Sequence, residues 1–308
     1  MQNKKISVII PAYNEAENIG DVISEIRLLH PDFEIIVIDD GSDDNTSEVA
    51  TQAGAIVYQH PYNIGNGAAI KSGMRVASGD ILIFMDGDGQ HDPNDVARLL
   101  EHFPEYDMVV GARRLSGHTS MTRAFGNKIY NWLGTYVTNF PIKDLTSGFR
   151  AIKTEIANNF RYLLPNTYSY PTTLTLGLLR SGRSVKYIPI MARMRKKGTS
   201  DIKLVRDGAR FFMIIIRICT HYSPMRIFLP VSLCMFALGL IRYIHSFLTE
   251  GRFTNMSALL FVTSVIIFMM SLISEQISQM RFERRGHRSP LQQTDGGSGN
   301  EKPQAPIT

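Results

Sequence analysis

Short apolar runs alternate with amphipathic stretches over the first 200 residues. The apolar runs are KISVIIP, EIIVIDD, AIVYQH, DILIFMD and DMVVGAR, and the stretches between them predict helices near 15–29, 45–53, 66–77 and 93–103. This alternation predicts a mostly parallel sheet with right-handed crossovers. The runs are continuously apolar, which indicates that both faces of the sheet are covered. Residues 1–200 are therefore predicted to form a soluble α/β domain.

The pattern changes from about residue 225, where two uncharged stretches follow each other. Met256–Ser274 is long enough, at about 1.5 Å per residue, to cross most of a hydrocarbon core of roughly 30 Å. Ile227–Ile241 is shorter, but Arg226 and Arg242 flank it and can extend toward the membrane surface. We predict two membrane-spanning helices over 225–280. One span followed by a buried helix is the alternative.

Charge beyond the second stretch predicts the orientation of this hairpin. Arginines follow it at positions 281, 284, 285 and 288, and positive charge of this kind favours the cytoplasmic side. The first 15 residues lack the apolar core of a signal peptide. We therefore predict an integral protein of the cytoplasmic membrane or the endoplasmic reticulum, with the α/β domain and C-terminus in the cytoplasm. The region 281–308 is basic, then polar and rich in Gly and Pro, which predicts a disordered tail.

The segment between the two regions is amphipathic. Within Ile202–Tyr222, the charged residues fall within an arc of about 100° on a helix, and the remaining positions are almost all apolar. Beside a membrane span, this pattern predicts an interface helix over 201–224, with an ordinary core helix as the alternative. Cys219 and Cys234 lie among apolar residues without metal-ligand spacing, so both are predicted to be buried and reduced.

Acidic residues follow two of the predicted strands. EIIVIDDGS ends in Asp39 and Asp40, and DILIFMDGDGQ ends in Asp86 and Asp88. Ligands of open parallel sheets bind beyond the carboxyl ends of the strands, and converging carboxylates repel one another unless a cation or hydrogen-bond donors intervene. A divalent ion that bridges nucleotide phosphates would satisfy both conditions. YNIGNGAAIKSG fits no standard phosphate loop, and both a phosphate-binding helix terminus and an ordinary turn stay open.

Several ordered motifs resemble a known family. The chain contains, in this order, SVIIPAYNEAENI, VIDDGSDDNT, NIGNGAAIKSGMRVASGD and FMDGDGQHDP. Together they resemble the family-2 inverting glycosyltransferases with the GT-A nucleotide-sugar fold. GARR, SMTRAFGNKIYN, DLTSGFRAIK and RMRKKGTSDIK extend the resemblance, over roughly residues 5–210, to dolichol-phosphate mannose synthases and bacterial polyprenyl-phosphate sugar synthases. The resemblance implies transfer of a hexose from a nucleotide sugar, of the GDP-mannose or UDP-glucose type, to dolichyl or undecaprenyl phosphate.

The resemblance also implies a donor site. The nucleobase and ribose pocket would be lined by Pro11, Tyr13 and Glu15, and one of the two carboxylates Asp39 and Asp40 would hydrogen-bond the base or ribose. Mg²⁺ or Mn²⁺ would be held against the donor diphosphate by Asp86, Asp88 and Gln90, the last two as direct ligands. The ion would neutralise charge that develops on the departing nucleoside diphosphate.

An anionic lipid acceptor requires cations to hold it in line with the anomeric carbon. The family motifs place arginines for this role at Arg113, Arg123, Arg150 and Arg195, and arginine matches phosphate oxygens well. Further roles are implied for Ser147 and Ser200 as hydroxyl donors and for Asp144, which would orient Arg150 or contact the sugar. A surface ion pair is the alternative for any one of these arginines, including Arg113 and Arg150.

Other functions fit the sequence less well. Processive polysaccharide synthases carry a QxxRW motif, whereas the single tryptophan, Trp132, lies in YNWLG. Transfer to another membrane lipid, or a catalytically inactive membrane-tethered binding subunit, stays open as an alternative. The net charge of +5 suits acidic partners, but no motif supports nucleic-acid binding. A homo-oligomer is compatible with the sequence.

Overall fold

The computed structural model describes residues 4–113, 121–193 and 224–283. The chain divides into two compact units, Met1–Lys203 and Leu204–Thr308. The predicted interface helix at 201–224 lies almost wholly outside the described residues. So does the predicted tail, apart from residues 281–283.

Strands and helices alternate through the first unit, as the apolar pattern predicts. The elements are β1 (Ile6–Ala12), α1 (Ala16–Leu29), β2 (Glu34–Asp39), α2 (Thr46–Gln52), β3 (Ile56–Gln59), α3 (Asn66–Val76), β4 (Ile81–Phe84), α4 (Asp95–Leu100), β5 (Met108–Arg113), α5 (Met121–Thr138), β6 (Arg150–Lys153), α6 (Thr154–Phe160), α7 (Tyr170–Arg180) and β7 (Val185–Ile190). A short 3-10 turn, Arg161–Leu163, follows α6.

These strands form one seven-stranded sheet in the order β3-β2-β1-β4-β6-β5-β7. All neighbours pair in parallel except β6, which runs antiparallel to both β4 and β5. The predicted, mostly parallel α/β sheet is therefore confirmed. The strands that follow β1 build outward on one side of it, and the chain then returns to place β4 on the other side. The carboxyl ends of β1 and β4 thus flank a switch point, where ligands of such sheets bind.

The core of the sheet is made mostly of β-branched and other large apolar side chains. β1, β2, β4 and β5 are buried along nearly their whole length. The prediction of complete coverage was wrong for β3, where Ile56 and Tyr58 are 48% and 44% exposed. β3 is an edge strand, so it has a sheet neighbour on one side only.

The second unit contains two long helices, α8 (Pro224–Glu250) and α9 (Asn255–Glu283). Both are long and apolar enough to cross a membrane, which agrees with the two predicted spans. Each helix is longer than the uncharged stretch that predicted it, which was Ile227–Ile241 for α8 and Met256–Ser274 for α9. Residues 251–254 join them, and Gly251 takes a left-handed conformation with φ of 64°.

Small residues repeat every seven positions along the buried faces of both helices. The buried positions are Ser232, Gly239 and Ser246 on α8 and Ser257, Ser264, Ser271 and Ser278 on α9. A seven-residue repeat keeps one face of each helix against its partner. Ser232 Oγ donates to the Ser264 carbonyl over 2.9 Å, and Ser264 Oγ donates back to the Ser232 carbonyl over 3.0 Å. Hydroxyl pairs and close backbone approach are the interactions that hold helices together in lipid.

Cys234 corrects one prediction from the sequence. It is a free thiol, but it is exposed on the outer surface of α8 rather than buried. Apolar neighbours in the sequence predict burial in a water-soluble protein, whereas on a membrane helix they mark the lipid-facing surface. Cys219 lies outside the described residues.

Candidate active site

Four strands bring their functional residues to one edge of the sheet. Asp86 follows the carboxyl end of β4, and Arg113 is the last residue of β5. β6 runs in the opposite direction, so its first residue, Arg150, lies at this same edge and pairs with Phe84. The carboxyl end of β2 is also here, because Asp39 pairs with Ala12 at the end of β1. The sheet therefore gathers the predicted site residues at its switch point.

The acid turn, residues 86–90, is the centre of the site. Asp86, Asp88 and Gln90 are all partly exposed. Asp88 Oδ1 accepts the backbone N–H of Gln90 over 3.1 Å, and Gly89 permits this tight turn through its φ of 73°. Asp86 lies against Gly148, where a Cβ would approach Asp86 Oδ2 to 2.9 Å. The glycine of the SGFR segment therefore makes room for the first acid.

A buried, neutral histidine, His91, supports the backbone of the acid turn. His91 is 5% exposed and stacks on Phe149 with ring centroids 5.0 Å apart. Its Nδ1 accepts the backbone N–H of Asp86 over 3.3 Å, which requires an unprotonated nitrogen. Burial lowers the pKa of His91 to about 4, against a smaller opposing effect of Asp88. His91 therefore orients the acid turn without adding positive charge.

The donor atoms of the acid turn fit a hard divalent cation. Two carboxylates and an amide oxygen within five residues are ligands of the kind that Mg²⁺ and Mn²⁺ prefer. Among the described residues, no group of three or more His, Cys, Asp or Glu side chains is arranged to hold a metal ion. With two carboxylates and one amide oxygen, the acid turn would supply only part of the oxygen shell of an ion, and a metal site here stays a prediction.

A partly exposed ion pair, Arg113–Asp144, stands beside the acid turn. Arg113 Nε donates to Asp144 Oδ2 over 2.8 Å, and Arg113 Nη2 donates to Asp144 Oδ1 over 3.2 Å and to Thr146 Oγ1 over 2.7 Å. Burial opposes the charge of Arg113, but the hydrogen bonds and charge of Asp144, with Asp86 and Asp88 adding, raise its pKa. The pKa of Asp144 is lowered because bonds from Arg113 outweigh burial. Arg113 is therefore a fixed cation close to the acids.

This pairing favours Arg113 over Arg150 as the arginine that Asp144 orients, whereas a contact of Asp144 with the sugar stays a prediction. The hydrogen bonds that the structure gives to its side chain come from Arg113 and Thr146, not from Arg150. Arg150 itself is fully buried, and it donates to the carbonyls of Ser147 and Pro171 and to Thr175 Oγ1. Burial lowers the pKa of Arg150. The structure therefore does not support a direct contact of Arg150 with an acceptor phosphate, because the guanidinium of Arg150 is fully buried and bonded to internal groups.

Ser147 has a similar internal position. It is fully buried, and its Oγ donates to the Gly111 carbonyl over 2.6 Å. The hydroxyl thereby ties the SGFR segment to β5. This geometry favours a role in positioning the segment over the predicted role as a donor to the acceptor.

The carboxylates after β2 also face inward. Asp39 accepts from the backbone and hydroxyl of Ser42 and from the hydroxyl of Ser47. Asp40 accepts from His60 Nδ1 and from the backbone N–H groups of residues 64 and 65. Both side chains are buried. The structure gives them a role in shaping the loops at this edge of the sheet, whereas a contact with base or ribose stays a prediction.

The glycine-rich segment at the start of α3 is held by hydrogen bonds and by close packing against a neighbouring backbone segment. Asp40 accepts the N–H groups of Ile64 and Gly65, just before α3, and the Asn166 carbonyl accepts the N–H of Ala68 over 3.2 Å. A Cβ at Gly65 or Gly67 would lie 2.3 Å or 2.1 Å from a backbone oxygen of residues 165–166. The glycines therefore allow close packing of two backbone segments. An ordinary turn describes this segment better than a phosphate-binding helix terminus.

Three of the remaining predicted residues lie at or just beyond the end of β1. Pro11 is buried at the end of β1, and Tyr13 beyond it is 38% exposed. Glu15 precedes α1; its N–H donates to Thr46 Oγ1 over 3.0 Å and its carboxylate accepts from Asn18. Arg123 belongs to the first turn of α5, but its side chain is not among those that the structure describes. Arg195 and Ser200 lie outside the described residues.

One site residue was missed by the sequence analysis. Arg193 donates to Glu25 on α1 over 2.7 Å and contacts Asp92 over 2.9 Å, while its N–H donates to the Gln90 carbonyl over 2.8 Å. It thereby ties the acid turn to α1 and to the chain after β7. No motif indicates this role, because Arg193 is far in sequence from both Glu25 and the segment 90–92.

Comparison with known proteins identifies the family of the chain. The family model described as glycosyl transferase family 2 matches residues 7–161, which is half of the chain. The chain belongs to this family. A second model, described as the GtrB C-terminal hairpin, matches residues 223–280, which contain α8 and most of α9.

Two relatives align over most of this glycosyltransferase. The undecaprenyl-phosphate mannosyltransferase of Micrococcus luteus is 29% identical over 64% of this chain and 87% of its own length. The undecaprenyl-phosphate 4-deoxy-4-formamido-L-arabinose transferase of Photorhabdus laumondii is 26% identical over 91% of this chain and 90% of its own length. The second relative therefore aligns across both units.

A solved structure supports the fold of the glycosyltransferase unit. Glucosyl-3-phosphoglycerate synthase from Mycobacterium tuberculosis, crystallised with Mn²⁺, uridine diphosphate and phosphoglyceric acid, superposes with a TM-score of 0.57. It is 24% identical and covers 71% of this chain and 78% of that chain. The likeness confirms the predicted GT-A fold.

Proposed function

We propose that this glycosyltransferase moves a hexose from a nucleotide sugar to polyprenyl phosphate at a membrane surface, with inversion at the anomeric carbon. The observation that carries the proposal is the acid turn beside the Arg113–Asp144 pair, on a chain that also has two candidate membrane helices. Two of its relatives are named as undecaprenyl-phosphate sugar transferases. Both alignments support a lipid phosphate as the acceptor.

The donor site follows from the switch point. Exposed Tyr13 and the loops that Asp39 and Asp40 hold in place would form the nucleoside pocket. Asp86, Asp88 and Gln90 would hold a divalent cation, Mg²⁺ or Mn²⁺, against the diphosphate. Once bound, the cation would supply Lewis-acid neutralisation of the leaving nucleotide. A solved GT-A neighbour was crystallised with Mn²⁺ and uridine diphosphate, which supports this arrangement.

The acceptor site requires a fixed positive charge rather than a base. A lipid phosphate is already anionic near neutral pH, so its oxygen attacks the anomeric carbon without giving up a proton. Arg113 is 37% exposed and is held by Asp144, which fits it to bring the phosphate into line. Arg123, Arg195 and Ser200 would complete this site. Arg150 and Ser147 would support it from within the protein.

Membrane anchoring follows from the nature of the acceptor. Moving each CH₂ of a polyprenyl chain into water costs about 0.8 kcal/mol, so the phosphate stays at the bilayer surface and the enzyme must reach it there. The hairpin α8–α9 would keep the enzyme at that surface. We propose that the catalytic unit and the C-terminus face the cytoplasm, since arginines follow the second helix.

Incubation of the purified full chain with labelled nucleotide sugars tests the proposal. The assay contains polyprenyl phosphate in phospholipid vesicles with Mg²⁺ or Mn²⁺, and the lipid product is identified by chromatography and by its anomeric configuration. Asp88→Ala is expected to lower kcat by about 10²–10³-fold, as for loss of a charge-stabilising group. Asp32→Ala is the control, because Asp32 is exposed in the turn before β2.

Three results would contradict the proposal. Unchanged turnover in Asp88→Ala would exclude the acid turn from the reaction. Label in a different lipid would reassign the acceptor. Failure of every nucleotide sugar to label any lipid would favour an inactive binding subunit.

A further inference from the structure

The chain segments that follow β1, β2 and β3 meet at the carboxyl edge of the sheet. Ala12 pairs with Asp39, and Asp39 pairs with Gln59, so the three strands end at the same level. The pairing continues beyond β3, because the His60 N–H donates to the Asp39 carbonyl over 2.8 Å. The β3 loop, residues 60–65, therefore lies next to the loops of the proposed nucleoside pocket.

The β3 loop is folded around one buried carboxylate, that of Asp40. Asp40 Oδ1 accepts from His60 Nδ1 over 2.6 Å and from the Ile64 N–H over 3.0 Å. Asp40 Oδ2 accepts from the Gly65 N–H over 2.7 Å. Hydrogen bonds to a charged acceptor are roughly twice as strong as those between neutral groups. Asp40 thus fastens both ends of the loop.

Helix α3 holds His60 from its other side. His60 Nε2 lies 2.9 Å from Ser72 Oγ, and the His60 side chain is 13% exposed. A neutral imidazole that donates through Nδ1 accepts at Nε2, so the Ser72 hydroxyl donates to it. The contacts from Asp40 through His60 to Ser72 therefore tie the β3 loop to a helix. Such preorganisation reduces the cost of ordering a loop when a ligand binds.

Tyr62 lies in the middle of the β3 loop, against the glycine that follows Asp40. A Cβ at Gly41 would lie 2.5 Å from the Tyr62 carbonyl carbon and 2.7 Å from the Tyr62 Cα. Gly41 also has a φ of 74°, which favours glycine at this position. The main chain of Tyr62 is therefore fixed by close packing, whereas its side chain is 67% exposed.

A second exposed tyrosine, Tyr13, follows β1 and is 38% exposed. β2 lies between β1 and β3 in the sheet, so the two tyrosines follow strands on opposite sides of the strand that leads to Gly41. Gly41 itself contributes no side chain there. A flat aromatic ligand suits this place, because every nucleobase has a π-face that stacks on aromatic side chains.

We propose that the Tyr62 ring stacks on the nucleobase of the donor, on the face opposite Tyr13. Asp40 and His60 are positioning residues that hold the β3 loop for this contact. The inference rests on the proposed function and deepens it, since it assigns recognition of the base to stacking on the β3 loop. Binding of the nucleotide is measured without sugar transfer.

Calorimetric titration of the purified full chain in micelles with UDP, GDP and pyrophosphate, each with Mn²⁺, tests the contact. Tyr62→Ala is expected to weaken nucleotide binding about 10-fold, within the range for loss of one stacked base. Pyrophosphate has no base, so its affinity should stay unchanged. Tyr58→Ala is the matched control and should bind nucleotide as the wild type does, because Tyr58 is an exposed aromatic residue of β3 itself.

Two binding results would overturn the inference. Unchanged nucleotide affinity in Tyr62→Ala would mean that the ring does not touch the base. Equal weakening of nucleotide and pyrophosphate binding would mean that Tyr62 only supports the fold of the site. Weaker nucleotide binding alone, in a protein that makes no lipid product, would support the inference and contradict the proposed function.

Fluorescence gives a direct readout of the same contact. Trp132 is the only tryptophan of the chain, so Tyr62→Trp combined with Trp132→Phe leaves one indole, at position 62. The nucleotide is expected to quench the emission of this indole about twofold by stacking, whereas pyrophosphate should not. Equal emission with nucleotide and with pyrophosphate would contradict the contact.

Substitutions of His60 separate positioning from direct contact. His60→Asn keeps an N–H group that can donate to Asp40, whereas His60→Ala removes it. His60→Ala is expected to weaken nucleotide binding about threefold, as for loss of one hydrogen bond, and His60→Asn should restore most of the affinity. Equal losses in the two variants would contradict the positioning role of His60.

Discussion

The α/β unit and the α8–α9 hairpin bury opposite kinds of side chain. In the sheet, Ile9, Ile83 and Phe84 are fully buried. Between α8 and α9, the buried positions are serines and Gly239, whereas leucines, valines and phenylalanines lie on the outside, as Leu238 does. The same residue types thus take opposite places in the two units.

The difference follows from the solvent around each unit, which is water for the α/β unit and lipid for a membrane hairpin. In water, burial of apolar surface contributes about 25 cal/mol per Å², so large apolar side chains go inside. In lipid, a leucine gains little by leaving the acyl chains for a protein interior. Close packing and hydrogen bonds then decide what is buried, and small hydroxyl residues provide both.

Buried polar residues also mean different things in the two units. In the α/β unit, Asp39, Asp144 and Arg150 are buried near the carboxyl edge of the sheet, where they shape the candidate site. In the hairpin, Ser232 and Ser264 bond to each other across the helix pair. A buried polar residue therefore marks the site in one unit and helix packing in the other.

Truncation of a large apolar residue in each unit should give the largest contrast. Ile83→Ala removes buried volume from β4 and is expected to lower the free energy of unfolding by about 2–5 kcal/mol. Leu238→Ala removes a side chain that is 49% exposed, so a change below about 0.5 kcal/mol is expected. Thermal unfolding of the full chain in micelles measures both. Similar losses for the two variants would contradict the opposite packing rules.

Enlargement of a small buried residue is the converse test of packing in the hairpin. Gly239→Leu makes α8 more apolar, yet it is expected to destabilise helix pairing by about 1–3 kcal/mol. The reason is steric, since a Cβ at Gly239 would lie 3.2 Å from both Leu260 Cβ and Phe261 Cδ1. Leu240→Phe, at an exposed neighbouring position, is the control. Protease protection of the loop at 251–254 reports on the pairing, and a more stable Gly239→Leu hairpin would contradict this packing.

Arg193 tests how far the α/β unit depends on its polar contacts. Exposed ion pairs contribute about 0–1 kcal/mol to stability, so Arg193→Ala should unfold at nearly the wild-type temperature. Its contacts to Gln90 and Asp92 hold the acid turn, however, and loss of such supporting contacts weakens metal binding about 10-fold. The half-saturating Mn²⁺ concentration for turnover measures this effect.

Arg98 provides the matched control. It pairs with Asp95 and donates to the Pro189 carbonyl, and neither of these partners belongs to the acid turn. Arg98→Ala should therefore leave the Mn²⁺ requirement unchanged. Equal shifts in the two arginine variants would mean that Arg193 has no specific effect on the turn.

Local patterns were enough to predict most elements of the fold. The runs around β1, β2, β4 and β5 are apolar along their length, and the predicted helices at 15–29 and 66–77 are confirmed within one residue at either end. The predicted helix at 93–103 is shorter, Asp95–Leu100. β6 was not predicted, because its four residues become a strand only by pairing with β4 and β5.

The motifs predicted which residues gather at the site, but not the direction in which each side chain faces. Asp144 is 31 residues from its partner Arg113, and nothing in the sequence favours this pairing over one with Arg150. The burial of Arg150 depends on carbonyl groups from distant segments. The repeat of serines on α9 was visible in the sequence as a seven-residue spacing, and it would have predicted the buried face of the hairpin.

The smallest expected effect is the change with pH in the stability that one buried polar residue contributes to each unit. Bonds from Arg113 lower the pKa of Asp144, so below pH 4 the unfolded chain binds this proton before the folded chain does. The contribution of Asp144 is therefore complete above about pH 4 and is lost as the pH falls further. Asp144→Asn should cost about 1 kcal/mol at pH 7, since Arg113 is partly exposed, and the cost should shrink below pH 4.

Ser264→Ala is the counterpart in the hairpin. Its hydroxyl bonds to the Ser232 carbonyl and carries no charge, so its cost, about 0.6 kcal/mol for such a bond in lipid, should be the same at pH 7 and pH 4. Chemical or thermal unfolding at a series of pH values measures both differences from the wild type. A cost for Asp144→Asn that stays constant with pH would mean that its carboxylate is not stabilised by Arg113. A cost for Ser264→Ala that varies with pH would mean that the hairpin interior depends on a charged group after all.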